Sequence, residues 1–488
     1  MNQGILSAVA PANVMKYFEE ICSIPHGSGN IGAISDWLVG FAREQGLRYV
    51  QEPCGNVIIY GDAAPGYENE PAIALQGHMD MVAVKDADCE IDMETEGLSL
   101  FVENGLIGAR GTTLGGDDGI AIAYGLAVLS DRTIPHPPIM LVATVNEETG
   151  MDGAIAMDPA NLTARRIINL DSEDEGIFIA GCAGGATLRL RMPLVREATA
   201  DKLYEVTLSG LQGGHSGTEI SKNRSNAILL LARVVRELKK QGVRLVSING
   251  GTKDNAIPNA AAAIVAASEK PDVSEILKEL KNALTGKEDG LRIEVKEYTE
   301  KACTEGCTAG GPKASDALSA DCEERLLNLL TLLPYGPKAM STLPGLVETS
   351  DNVGIIRVTA EQAEVAVSVR SLIESEKQNL CEQIGLLAGI CGASVSRNSE
   401  YPGWQYRAES AIRDKAVAAY REMYGSEPKV ETIHAGLECG LLIDKFPDLD
   451  AISMGPQMYD VHTTKERLSV ESVQKTWELL LRILAKKD

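Results

Sequence analysis

The sequence predicts an α/β protein of two domains, and three observations support this fold class. At 488 residues the chain is too long for one ordinary hydrophobic core. Up to about residue 185, buried apolar runs alternate with amphipathic helical stretches, as in an open α/β sheet. Over residues 186–398 the strands instead alternate apolar and polar positions, and the first pattern then returns. We therefore expect a first domain from residues 1–185 and 399–488, with residues 186–398 inserted as an α+β lid domain.

The composition is typical of a globular protein and excludes several kinds of partner. Hydrophobic residues make up 44% and charged residues 24% of the chain. A formal net charge of -23 has the wrong sign for nucleic acid or anionic lipid, so neither is an expected partner. No stretch approaches the roughly 20 apolar residues of a membrane span. The ten cysteines include no Cys-x-x-Cys pair, which favours reduced thiols and a cytoplasmic protein.

The first domain opens with two amphipathic helices, because apolar residues recur there at spacings of three and four. The predicted helices cover residues 11–21 and 31–45, and short strands follow at 48–50, 56–60 and 71–75.

A histidine and an aspartate, His78 and Asp80, follow the apolar run 71–75. Two residues apart on an extended strand end, both side chains lie on one side of the backbone. A metal-bound imidazole usually donates its second N–H to a carboxylate, so the pair could be a metal ligand with its orienting partner. Taken alone, such a pair is more often an ordinary hydrogen-bonded pair.

A glycine-rich loop, residues 108–119, leads into a helix predicted over residues 120–129. The loop lacks the Gly-Lys-Ser/Thr sequence of a phosphate-binding P-loop. It carries two adjacent aspartates, Asp117 and Asp118, at the start of the helix. Carboxylates in this position suit a cation better than a phosphate.

Two further predicted strands also end in carboxylates. The apolar run 139–145 leads to Glu147 and Glu148, and the run 166–170 leads to Asp171. Of two neighbouring glutamates, one can bind a metal while the other faces the substrate water. Because open α/β sheets place their sites at the carboxyl ends of the strands, this repetition indicates a metal centre.

The inserted domain has a β-α-β-β-α-β order, which predicts a ferredoxin-like module. The inserted domain begins with a strand at 187–192. The module then consists of a strand at 203–209, a helix at 226–240, strands at 244–248 and 261–266, a helix at 273–284 and a strand at 291–297. Further elements are predicted at 321–333, 354–358, 363–371 and 375–392, whereas residues 301–315 show no pattern that we can interpret. The return to the first domain contains a helix at 408–424, a strand at 451–454 and a helix at 470–484.

Seven motifs together resemble the M20 family of metallopeptidases, most closely its aminoacyl-histidine dipeptidase branch, the bacterial cytosolic Xaa-His dipeptidases. The motifs are GHMDMV, RGTTLGGDDG, NEETGMDGA, NLDSED, GGHSG, HAGLECG and MYDVHT. The resemblance covers nearly the whole chain. Where that branch has Gly-Ala-Asp-Asn-Gly, this chain has Gly-Gly-Asp-Asp-Gly, which leaves Asp117 in the ligand position.

The resemblance implies a centre of two zinc ions, with cobalt or manganese as possible substitutes. Asp117 would bridge the two ions. The implied further ligands are His78 and Asp171 for one ion, and Glu148 and His462 for the other. In the same way, Asp80 is expected to support His78 without binding a metal, and Glu147 is expected to be the general base.

The resemblance also implies roles for four residues beyond the metal centre. His215 would stabilise the oxyanion of the tetrahedral intermediate, from its own chain or from the neighbouring subunit of a homodimer. Arg370 would bind the free carboxylate of a dipeptide, since its planar fork suits that group. Asn255 would donate to the same carboxylate, and Gly436 would line the substrate pocket.

The sequence therefore predicts a cytoplasmic metallopeptidase that cleaves unblocked dipeptides, most plausibly Xaa-His such as β-alanyl-histidine (carnosine). Two alternatives remain open at this point. An N-acyl amino acid deacylase would use the same metals with a different pocket. A non-catalytic metal-binding relative is disfavoured by the presence of Glu147, because a base is not needed merely to bind metal.

Overall fold

The computed structural model describes residues 4–298 and 316–488 of the chain. These residues form two compact units. Unit 1 consists of Met1–Cys182, Trp404–Thr432 and Leu437–Asp488, and unit 2 of Ala183–Gly403 and Ile433–Gly436. The domain limits predicted at residues 185 and 398 lie within a few residues of these boundaries.

The first part of unit 1 supplies the centre of its main sheet. Its helices are α1 (Ala12–Cys22), α2 (Gly32–Glu44), α3 (Gly116–Ser130), α4 (Glu147–Gly150) and α5 (Asp152–Ala156). Its strands are β1 (Arg48–Gln51), β2 (Val57–Gly61), β3 (Ile73–His78), β4 (Leu100–Glu103), β5 (Leu106–Ala109), β6 (Ile139–Thr144), β7 (Arg166–Asn169) and β8 (Ile177–Cys182).

Unit 2 follows in the chain. Its strands are β9 (Gly184–Pro193), β10 (Arg196–Ala198), β11 (Lys202–Ser209), β12 (Gly214–His215), β13 (Arg244–Gly250), β14 (Ala256–Ile257), β15 (Ala261–Ala267), β16 (Arg292–Glu297), β17 (Asp316–Leu318), β18 (Gly336–Met340), β19 (Val347–Val358), β20 (Gln362–Ser371) and β21 (Ser394–Tyr401). Its helices are α6 (Ala227–Leu238), α7 (Ser274–Ala283), α8 (Ala320–Leu332) and α9 (Glu374–Ile390).

The rest of the chain completes unit 1. It contains helices α10 (Ala411–Tyr424), α11 (Glu438–Lys445) and α12 (Val470–Ala485), and strands β22 (Lys429–Ile433), β23 (Asp450–Ser453), β24 (Met458–Tyr459) and β25 (Arg467–Ser469).

The main sheet of unit 1 has the strand order β1-β2-β6-β3-β7-β23-β8-β22. Its central strands β6, β3, β7 and β23 are parallel. Every residue of β3 and β6 is buried, which explains why both strands read as continuous apolar runs. The parallel arrangement brings the carboxyl ends of these strands to one edge, where the predicted ligands follow. The predicted α/β fold class is confirmed.

Helix α3 differs in its start from the helix expected over residues 120–129. It begins at Gly116, but Asp117 and Asp118 have non-helical backbone angles, and the peptide bond between them is cis. From Gly119 onward the helix is buried up to Leu129, and Tyr124 stacks on Trp477 of α12 with ring centroids 6.0 Å apart. The two aspartates thus lie in a bent segment at the amino end of a buried helix.

The β-α-β-β-α-β segment of unit 2 forms part of a nine-stranded sheet. In that sheet β16, β11, β15 and β13 are neighbours, so the order is fourth, first, third, second along the segment. Their core includes Val206, Leu231, Val235 and Val265. In the described parts of the chain, no helix has the length and apolar character needed to cross a membrane.

Candidate metal centre

The predicted metal ligands converge in unit 1. His78 ends β3, Asp171 comes shortly after β7, and Glu148 lies in α4 directly after β6. Asp117 enters from the bent start of α3, and His462 follows β24 in a left-handed backbone conformation, with φ of 62°. Three of these side chains therefore lie at the carboxyl edge of the parallel strands, as that topology requires.

The carboxylate of Asp117 lies between two imidazoles. Its Oδ1 is 3.1 Å from His78 Nε2, and its Oδ2 is 3.0 Å from His462 Nε2. Each oxygen therefore faces a different histidine, which is the arrangement a carboxylate needs in order to bridge two cations.

Each histidine has a second carboxylate beside it. Asp171 Oδ1 is 3.5 Å from His78 Nε2, and Glu148 Oε1 is 2.9 Å from His462 Nε2. Ligand atoms of Asp117, Glu148 and His462 all lie within 4.8 Å of one another. Imidazole nitrogen with carboxylate oxygens is a donor set that suits zinc and related divalent cations, so these residues fit the implied pair of metal ions.

The predicted pairing of His78 with Asp80 has an unexpected geometry. The Nδ1–H of His78 donates to the backbone carbonyl of Asp80 at 2.9 Å, while the carboxylate lies 3.5 Å away. That carboxylate accepts from Ser28 Oγ at 2.7 Å and from the backbone N–H of Glu147 at 3.1 Å. Asp80 therefore supports both His78, through its backbone, and the turn that carries Glu147, through its side chain.

The charges of the centre favour protonated imidazoles when no metal is bound. Burial opposes protonation of His78, but hydrogen bonds that its ring donates to Asp117, Asp171 and Asp80 raise its pKa well above the usual 6.5. Hydrogen bonds to Asp117 and Glu148 raise the pKa of His462 to about 11. The acidic cluster is thus built to hold positive charge.

Glu147 lies close to the ligands, since its carboxylate and ligand atoms of His78 and Glu148 lie within 4.8 Å of one another. Burial raises its pKa well above that of an ordinary glutamate, and the carboxylates of Asp171, Glu438 and Glu148 add to this effect. The short helix α4 places Glu147 and Glu148 on one turn, not at a strand end as expected. A carboxylate of raised pKa beside a candidate metal site is suited to taking up a proton.

Comparison with known proteins gives this site its context. The family model for peptidase family M20/M25/M40 matches residues 74–486. The chain belongs to this peptidase family. It is 36% identical over 489 residues to the cytosol non-specific dipeptidase of Escherichia coli (strain K12), with 98% of each chain covered. The predicted family and the prediction of an enzyme that hydrolyses peptide bonds are confirmed.

Solved structures show the same fold for this M20 peptidase. The aminoacylhistidine dipeptidase from Vibrio alginolyticus superposes with a TM-score of 0.83 at 33% identity, covering 99% of this chain and 98% of that one. The aminopeptidase PepT from Bacillus cereus gives a TM-score of 0.56 at 17% identity, covering 98% of each chain. The second similarity concerns the fold alone.

Sequence reasoning assigned no specific role to two buried carboxylates near the metal ligands. Asp118, fully buried, accepts the backbone N–H of His78 at 3.2 Å. A Cβ at Gly77 would lie 2.4 Å from that Asp118 oxygen, so this close approach requires glycine. Glu438, also fully buried, accepts from Gln76 Nε2 at 2.5 Å and from Thr144 Oγ1 at 2.6 Å. The Asp-Asp pair was one signal, and Glu438 lies within the HAGLECG motif, but nothing local shows that α11 brings this glutamate to the site.

The predicted oxyanion residue, His215, lies in unit 2. Its Nδ1 accepts hydrogen bonds from the backbone N–H groups of Gly217 at 3.3 Å and Thr218 at 3.2 Å. An accepting Nδ1 places the ring proton on Nε2, so the outer nitrogen is a donor. Asn255 lies nearby in the same unit, where its backbone carbonyl accepts from the N–H of Ser216 at 2.8 Å.

Arg370 and Gly436 both approach one tyrosine of unit 2. Arg370, on β20 and 8% exposed, donates from Nη1 to the hydroxyl of Tyr401 at 2.8 Å. A Cβ at Gly436 would lie 2.6 Å from the Tyr401 ring. Next to them, burial and the charge of Arg370 lower the pKa of His434 to about 3. Arg370 is therefore the fixed positive charge of this cluster, and His434 is neutral.

Proposed function

We propose that this M20 peptidase is a cytoplasmic dipeptidase that uses two zinc ions to hydrolyse unblocked dipeptides, including Xaa-His substrates such as carnosine. The observation that carries the proposal is the carboxylate of Asp117, whose two oxygens each face a different histidine at 3.1 and 3.0 Å. In this assignment His78, Asp117 and Asp171 hold one ion, and Asp117, Glu148 and His462 hold the other. Cations bound there would polarise the peptide carbonyl and acidify the attacking water.

Glu147 is the general base in this mechanism. Its carboxylate takes the proton from the attacking water and later gives it to the nitrogen of the leaving amine. The raised pKa of Glu147 supports this role, because a group that holds a proton readily can also deliver it within one cycle. Asp80 fixes the turn of Glu147 by accepting its backbone N–H.

Residues of unit 2 are assigned to the substrate. The Nε2–H of His215 donates to the oxyanion, in keeping with the accepting Nδ1. The guanidinium of Arg370 binds the C-terminal carboxylate. Asn255 donates to the same carboxylate, and Gly436 lines the substrate pocket, where a side chain would displace the ring of Tyr401.

Two relatives support a dipeptide substrate and differ in the breadth that their names describe. The Escherichia coli relative is a non-specific dipeptidase, and the Vibrio alginolyticus relative is an aminoacylhistidine dipeptidase. At 36% and 33% identity over nearly the whole chain, both support hydrolysis of dipeptides. Carnosine lies within the substrate class of the second name, so it is a suitable first probe.

The test is release of free histidine from carnosine by the purified protein. Activity should disappear on chelation and return when zinc is restored, whereas the Glu147→Gln variant should stay inactive with its metal bound. N-acetyl-histidine serves as the comparison substrate. Cleavage of N-acetyl-histidine without cleavage of carnosine or other free-amine dipeptides would refute the dipeptidase assignment in favour of an N-acyl amino acid deacylase.

We also propose a homodimer, formed through the end of the unit 2 sheet. Strand β21 is the last strand of that sheet among the described residues. Beside it, α9 exposes Leu386 and Ile390, with 64% and 84% of their surfaces accessible. Apolar side chains next to an edge strand favour association with another chain. A Leu386→Glu/Ile390→Glu variant should sediment as a monomer, and a wild-type monomer would refute the proposal.

A further inference from the structure

One buried carboxylate accepts four successive backbone N–H groups in the segment that carries the bridging ligand. Glu466 Oε2 accepts from the N–H groups of Leu114 at 2.8 Å and Gly115 at 3.2 Å. Its Oε1 accepts from Gly116 at 2.8 Å and Asp117 at 3.4 Å. Glu466 lies 350 residues after Gly116 in the chain, and it is only 3% exposed. Neither the motifs nor the relatives assign a role to it.

A carboxylate at the start of a helix could simply complement the helix dipole. Two observations show a more specific arrangement here. Asp117 has φ of -83° and ψ of 103°, so its backbone leaves the helical path at the point where Glu466 accepts its N–H. This non-helical turn, not the regular part of α3, directs the Asp117 carboxylate towards His78 and His462.

The second observation is the position of Glu466 in the chain. It lies four residues after His462, and its own backbone N–H donates to the carbonyl of Thr463 at 3.1 Å, which closes a turn between the two. One residue therefore ties the segment of His462 to the turn of Asp117. The 3.0 Å approach between His462 Nε2 and Asp117 Oδ2 depends on the relative position of these two segments.

We propose that Glu466 is a positioning residue that sets the separation between the Asp117 carboxylate and the His462 imidazole, and thereby the metal affinity of the centre. This inference rests on the proposed two-metal site. Both carboxylate oxygens of Glu466 accept backbone N–H groups, so this residue acts through the backbone of residues 114–117. Because Asp117 bridges, loss of Glu466 weakens both metal positions together.

The test compares Glu466→Gln with a matched variant, Glu288→Gln. Glu288 is also 3% exposed and also accepts backbone N–H groups, two instead of four, from Gln212 at 2.9 Å and Ser225 at 2.8 Å, but it lies in unit 2. In each variant the new amide keeps one acceptor oxygen and turns an NH₂ group towards N–H donors. Both variants should lower the melting temperature of the metal-free protein.

Only Glu466→Gln should change the metal centre. Its zinc affinity, measured by competition with a chromophoric chelator, should fall about 10–100-fold, the usual effect of removing a partner that orients metal ligands. The visible absorption of the cobalt-substituted protein should shift with it, since that spectrum reports ligand geometry. Glu288→Gln should leave both readouts unchanged.

A second variant, Gly116→Ala, keeps every ionisable group. Its Cβ would lie 3.2 Å from Glu466 Oε1, so the carboxylate must shift by a few tenths of an ångström. Zinc affinity should fall in the same direction and by less. This variant decides the matter if Glu466→Gln does not fold.

Unchanged zinc affinity and an unchanged cobalt spectrum in a folded Glu466→Gln protein would overturn the inference and leave Glu466 as a helix cap. The same result in Gly116→Ala would overturn it if the first variant is unfolded. A wild-type protein that binds no pair of metal ions would instead refute the proposed function, together with this inference. The two failures are therefore distinguishable.

Discussion

Binding of zinc to the metal-free protein at pH 7 should release at least two protons per pair of ions, because ligand imidazoles must be neutral. His462 has its pKa raised to about 11 by Asp117 and Glu148. His78, despite burial, has its pKa raised well above 6.5 by Asp117, Asp171 and Asp80. Both imidazoles are therefore protonated at pH 7, and each must lose one proton on binding. Burial raises the pKa of Asp171 to about 6 and that of Glu147 well above its ordinary value, so these carboxylates can release further protons when the cations bind.

Isothermal titration calorimetry measures this release directly. Zinc is titrated into the chelator-treated protein at pH 7 in PIPES and in MOPS, two buffers that bind zinc weakly and whose ionisation enthalpies differ. The slope of the binding enthalpy against the ionisation enthalpy of the buffer gives the number of protons. In the His462→Ala variant, the slope should fall by about one proton. Equal binding enthalpies in the two buffers would show that the imidazoles are neutral and would refute the reasoning.

The same pKa shifts fix the direction of two pH dependences. The pKa of His462 in the folded protein is above its unfolded value of 6.5. Its ion pairs therefore stabilise the metal-free protein fully below pH 6.5, and this contribution is lost as the pH rises through about 11. Zinc affinity runs in the opposite direction, because protons compete less with the metal as the pH rises.

Three further predictions concern turnover and substrate binding. Glu147→Gln should retain both metals while kcat falls about 10²–10⁴-fold, the usual contribution of a general base. Metal analysis together with steady-state kinetics measures both quantities. Substantial residual turnover would exclude Glu147 as the base. Arg370→Gln should raise KM about 10–100-fold, as expected for loss of a charge-assisted hydrogen bond, for dipeptides with a free carboxylate and not for their amides. An equal effect on both would exclude a contact with the carboxylate. Gly436→Ala should raise KM for the same dipeptides, because the new Cβ would lie 2.6 Å from the Tyr401 ring that Arg370 contacts; an unchanged KM would contradict that.

The metal ligands could be predicted because their positions follow from local pattern. His78 and Asp171 come directly after apolar runs, and a parallel sheet brings such strand ends together whatever the rest of the chain does. The pairing of Asp117 with two histidines needed the family resemblance, because nothing local shows where the loop after β24 returns. The short helix α4 was missed since four residues are too few to show a helical period.

Asp80, Glu438 and Glu466 show why the remaining contacts could not be predicted. His-x-Asp suggested a carboxylate on the imidazole, yet the closer acceptor is the backbone carbonyl of Asp80, a choice set by backbone angles. Glu438 bonds to Gln76 across 362 positions, and Glu466 bonds to Gly116 across 350. From local sequence, a glutamate in a helix or a turn is expected to be exposed to solvent, and only the tertiary structure shows that it is buried.

Buried polar side chains form a hydrogen-bonded chain beneath the metal ligands. Gln76 and Asn169 stand two residues before His78 and Asp171, so each shares a strand face with its ligand. Asn169 Nδ2 donates to Gln76 Oε1 at 2.7 Å, and Gln76 Nε2 donates to Glu438 at 2.5 Å. These bonds tie β3, β7 and α11 together two residues before the metal ligands. Since an unmade buried hydrogen bond costs about 1–3 kcal/mol, sliding either strand would break this chain, which holds the strand ends that carry the ligands in register.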